Sequence, residues 1–97
     1  MNKLIEARTY VSGVWNEVNE HGVGRGGWLK NQIATARRTV LIALDGLPEM
    51  QADWLTLELF AASNCVANRD AEGALKSLKT VGDALEDLIL QEPVPWD

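Results

Sequence analysis

Side chains able to bind or react are few in this chain, and their spacing separates them by charge. Between Glu20 and Asp45 stand four cations, Arg25, Lys30, Arg37 and Arg38, and no carboxylate. The remainder carries five cations against fourteen acids, so one stretch at +4 faces −9 elsewhere. Segregation of this kind selects partners by sign. Lys30 and Arg37 are seven residues apart and would share one face of a helix, with Asn31 and Arg38 beside them. An electropositive strip suits an acidic protein surface or a nucleic acid. The plain alternative is a solvated face whose cations pair with acids on a neighbouring helix, such as Glu17 and Glu20. Four cations support few phosphate contacts, so nucleic-acid binding would be weak and salt-sensitive. The aromatics that stack single-stranded bases are missing from this strip apart from Trp28.

Other chemistry has less to stand on. Gly22, Gly24 and Gly27 spell a G-x-G-x-x-G, but a dinucleotide fingerprint follows a strand, and here a helix precedes it. The loop does lead into a helix N-terminus, where free amides favour an anion, with Arg25 and Lys30 near in sequence. His21 is the single histidine. It could share a face with Glu17 and Glu20, and Asp83, Glu86 and Asp87 form another acidic group. A di-iron bundle needs two Glu-x-x-His sets, which one copy of this chain does not supply. Cys65 falls in an apolar pattern, where thiols are inert packing residues. No catalytic residue, metal ligand or cofactor site is therefore assigned, and the chain is expected not to be an enzyme. The segment Glu92-Pro93-Val94-Pro95-Trp96-Asp97 is different: two prolines stiffen a strand ending in a large ring. Trp96 would either cap an open end of the core or insert into a partner's pocket.

These residues need helices to hold them. Leu4, Ala7, Val11, Val14 or Trp15, and Val18 recur at helical period and predict a helix over 3–20, with Ser12-Gly13 as a place for a kink. Leu29, Ile33, Ala36, Val40 and Ala43 or Leu44 predict a second over 28–44, whose run Val40–Leu44 should be enclosed on most sides. Gly46 and Pro48 stop and restart the chain. A third helix, 48–67, is apolar over more than half its circumference and is the expected centre of the core, with Trp15 and Trp54 as core rings. Asp70 would cap a fourth, 70–90, with the clearest stripe of all: Ala71, Ala74 or Leu75, Leu78, Val81, Leu85, and Leu88 or Ile89. Residues 62–81 loosely resemble one tetratricopeptide hairpin, with Arg69 where the turn usually carries glycine; one partial unit is not an array.

The reading that results is an all-α, antiparallel bundle of about four helices, one domain over 1–97, with a proline-containing tail at 91–97. A single cysteine excludes an internal disulfide and fits a cytoplasmic setting; the longest apolar run is too short for a membrane span. The expected role is non-catalytic: an adaptor, regulatory subunit or inhibitor that binds another protein. Its partner could be a nucleic-acid-processing complex, approached by acidic mimicry of nucleic acid. Arg25, Trp28, Lys30, Arg37, Arg38 and Trp96 are the expected contact residues. Direct binding of nucleic acid or a phosphate ligand through 25–38 is the alternative. Self-association is also open, because the third helix carries more apolar surface than three neighbours can cover.

Overall fold

A computed structural model describes residues 3–24, 26–45 and 49–91, side chains at 49–52 and 91 excepted. Four helices account for nearly all of them: α1 Lys3–His21, α2 Gly26–Ala43, α3 Glu49–Ala67 and α4 Ala71–Gln91. Each packs on two others, α1 on α2 and α4, α3 on α2 and α4, while the diagonal pairs make no close backbone approach. The bundle is thus a closed ring of four. Short connections force neighbours antiparallel. Arg8 near the start of α1 accordingly meets Glu86 near the end of α4. Lys3 and Ile5 share a groove with Thr39 and Ile42 at the end of α2.

The core lies where the four stripes converge. Leu4, Ala7, Val11, Val14 and Val18 come from α1, and Leu29, Ile33, Ala36 and Val40 from α2. Leu55, Leu59, Ala62 and Val66 come from α3, and Ala74, Leu78, Val81 and Leu85 from α4. Each helix supplies one fully buried alanine, Ala7, Ala36, Ala62 and Ala74, which lets the backbones approach. No polar or charged residue among those described is buried. Burial alone therefore holds the interior, at ~25 cal/mol per Å² of apolar surface.

Three expectations need correction. A ring of four has no central member, so α3 is not the centre of the core. Trp15 packs against the core as expected. Trp54 does not, remaining 49 % exposed. On α2 the run Val40–Leu44 is only half enclosed: Val40 and Leu44 are buried, Leu41 and Ile42 are exposed. The reason is geometric. Successive residues turn about 100° around a helix, so five in a row cannot all face one core. At Ser12 and Gly13 α1 runs on unbroken, both residues exposed.

The ends of the helices follow backbone rules. Gly22, at φ 70°, donates its amide to the Val18 carbonyl at 2.8 Å and ends α1 in a left-handed cap. The end of α3 is a Schellman turn: Asp70 N–H donates to the Cys65 carbonyl at 2.7 Å and Arg69 N–H to the Val66 carbonyl at 3.1 Å. Here the left-handed position, φ 59°, is filled by Arg69 instead of glycine. Asp70 then caps α4, its Oδ1 accepting from the Gly73 amide at 2.9 Å. A Cβ on Gly73 would overlap the Asp70 carboxylate and come within 2.7 Å of Cys65 Sγ, so this position needs glycine for space. The restart expected at Gly46 and Pro48 lies outside the described residues.

Candidate partner-binding surface

The cations of α2 project from the side of that helix away from its buried stripe. Lys30 and Arg37 fall on one row, turned toward α3, and Arg38 stands next to that row on the outer face. Asn31 and Ala34 of α2 and Leu59, Phe60 and Ser63 of α3 line an open groove of about 300 Å³ with Lys30 and Arg37. Arg37 leans across it, its guanidinium carbon 4.6 Å from the Phe60 ring centroid. A cation over an aromatic face gains about 0.5–1 kcal/mol at an exposed site.

Among the described residues, no carboxylate lies within salt-bridge distance of Lys30, Arg37 or Arg38. The pairing with Glu17 and Glu20 offered by the plain alternative is not made by these three. Glu20 instead faces His21, its Oε2 3.8 Å from Nε2. The strip therefore keeps its positive charge. The acids of α4 do not keep all of theirs: Glu86 binds Arg8 at 2.8 Å and Asp83 binds Lys79 at 3.3 Å. Those pairs are exposed and contribute at most about 1 kcal/mol each, but they take charge away from the α4 surface.

The six expected contact residues do not form one patch. Lys30, Arg37 and Arg38 are together. Trp28 is exposed but sits on the far flank of α2, the side turned toward α1. Arg25 and Trp96 lie outside the described residues. Exposed apolar side chains not among those six stand on α3: Leu57 is 66 % exposed, Phe60 53 % and Trp54 49 %. The signal was present, since α3 has too many apolar residues for one stripe.

Reactive groups elsewhere are quiet. Burial, with the negative charges of Asp70 and Glu58 nearby, pushes the Cys65 thiol above its ordinary value of 9.0, away from the nucleophilic thiolate. His21 stands exposed at the end of α1, 3.8 Å from Glu20. Among the described residues, no three His, Cys, Asp or Glu side chains could hold a metal ion together. No described helix is long and apolar enough to cross a membrane. The chain matches no protein-family model, and no curated protein or solved structure resembles it significantly.

Proposed function

We propose that this chain is a non-catalytic protein-binding module, an adaptor, regulatory subunit or inhibitor acting in the cytoplasm, and that Lys30, Arg37 and Arg38 grip an acidic segment of its partner. One observation carries the reading: three cations of α2, Lys30 and Arg37 beside the α3 groove and Arg38 on the outer face, none within salt-bridge distance of a described carboxylate. An exposed cation that no internal acid neutralises is free to set association rate and partner choice. Acidic mimicry of nucleic acid draws less support, because Asp83 and Glu86 already hold Lys79 and Arg8.

The test is affinity capture from the native cytoplasm with wild-type chain and with Lys30→Glu/Arg38→Glu. The double variant should lose the captured protein while keeping its helical circular dichroism. Capture should also weaken as salt rises. A partner retained by the variant would defeat the reading. Binding of DNA or RNA at physiological salt, lost in the same variant, would replace it with the nucleic-acid alternative.

A further inference from the structure

The exposed side of α3 is a second candidate surface, and of the basic strip it involves only Arg37. The buried stripe of α3 is Leu55, Leu59, Ala62 and Val66. At about 100° per residue, Leu57 stands nearly opposite that stripe. Around it run two rows with the seven-residue spacing of a helix that packs on a helix: Asp53 with Phe60 on the flank toward α2, and Trp54 with Ala61 on the flank toward α4. Trp54, Leu57 and Phe60, with Leu41 one turn along from Arg37 on α2, are all exposed. Together they present roughly 400 Å² of apolar side chain, at the upper range of what a monomer leaves open. A stable interface covers about 800 Å² per partner, so this patch would supply about half of one side as its apolar centre, with polar neighbours as the rim.

We propose that a second copy of this chain covers the face, with α3 packed antiparallel on its mate about a two-fold axis at Leu57. The residues are self-complementary in that arrangement. Trp54 lies about 4.5 Å along the axis on one side of Leu57 and Ala61 about 6 Å on the other, so the two-fold seats each large ring over the other copy's small residue. On the opposite flank the same operation carries Asp53 of one copy to the level of Phe60 in the other. The Phe60 ring is where Arg37 rests, and among the described residues no carboxylate lies within salt-bridge distance of Arg37. Two Arg37–Asp53 pairs thus close the rim, one at each end. Leu57 meets Leu57 on the axis. The alternative two-fold, with the helices parallel, would lay Trp54 over Asp53 and leave Arg37 opposite Ala61.

Sedimentation equilibrium decides the matter. The chain mass is 10.7 kDa, and the wild type should sediment at twice that at micromolar concentration. Leu57→Glu should sediment as a monomer with unchanged helical signal. Arg37→Glu should raise the dimer dissociation constant at least tenfold, and adding Asp53→Arg to it should restore most of the loss. A wild type that stays at 10.7 kDa up to about 100 µM would overturn the proposal, as would a Leu57→Glu dimer of wild-type strength. Failure of the charge swap to restore association would overturn the antiparallel arrangement. Lys30→Glu/Arg38→Glu should leave the dimer intact, which separates this outcome from that of partner capture.

Discussion

Helices α3 and α4 are near neighbours in length and position, yet they meet water in opposite ways. On α4 the buried residues Ala74, Leu78, Val81 and Leu85 form one stripe, and the side opposite carries Glu72, Lys76, Asp83 and Asp87. On α3 the stripe of Leu55, Leu59, Ala62 and Val66 is matched across the helix by Trp54, Leu57 and Phe60. The bundle covers the stripe of α4, with Leu90 near its end 75 % exposed, and leaves three large apolar side chains open across α3. A helix with one apolar stripe needs one core; a helix apolar all round needs a second neighbour. The difference is why a partner, and in our proposal a second copy, is sought on α3.

The largest test of this contrast removes a leucine from each side. Leu59→Ala on α3 and Leu78→Ala on α4 should each cost about 2–5 kcal/mol in denaturant unfolding, since both side chains are fully buried. Leu57→Ala, measured at concentrations low enough for monomer, should change stability by less than about 0.5 kcal/mol. Equal losses at Leu57 and Leu59 would erase the distinction between the faces.

Next in size are the two glycines of α4. Gly73→Ala should destabilise by more than about 1 kcal/mol despite the better helix propensity, because its methyl group would displace the Asp70 cap. Gly82→Ala should stabilise by about 0.5–1 kcal/mol, since the added carbon makes ordinary contact with Val11 at 3.9 Å. Thermal unfolding of the pair shows whether the cap or the propensity governs the start of α4. At the turn between the two helices, Arg69→Gly should raise stability by about 1 kcal/mol by relieving a left-handed non-glycine residue.

The smallest effect is a dependence on pH. Cys65 is held above 9.0 in the folded chain by burial, then by Asp70 and Glu58. The unfolded thiol ionises first, so this contribution is complete below pH 9 and is lost as pH rises through the folded value. Cys65→Ala should flatten the fall in denaturation midpoint between pH 8 and 10 by a measurable but minor amount. An unchanged slope would mean that the thiol is not held back.

Much of the architecture was legible in the chain because helical period is a local property. The stripes of α1, α2 and α4 name the residues that become buried, and Asp70 is recognisable as a cap from its place before an apolar run. Boundaries agree within one residue except at the start of α2, where Gly26 and Gly27 join the first turn. The candidate surface was legible only in part. Lys30, Arg37 and Arg38 were identifiable as a face, but their freedom from Glu17 and Glu20 depends on which helix lies beside them. Trp28 shares a helix with them and yet falls on another flank, a matter of rotation about the axis.

Charge segregation, four helices and an over-apolar third helix are thus properties of the amino-acid order itself. They depend on residue type and on repeats of three or four, which a chain carries before it folds. Which of the apolar residues on α3 would face the core, and that Arg37 would rest on Phe60, was decided by the ring of four helices. Only packing selects one side of a helix that is apolar on both, and the side not selected is the one left exposed.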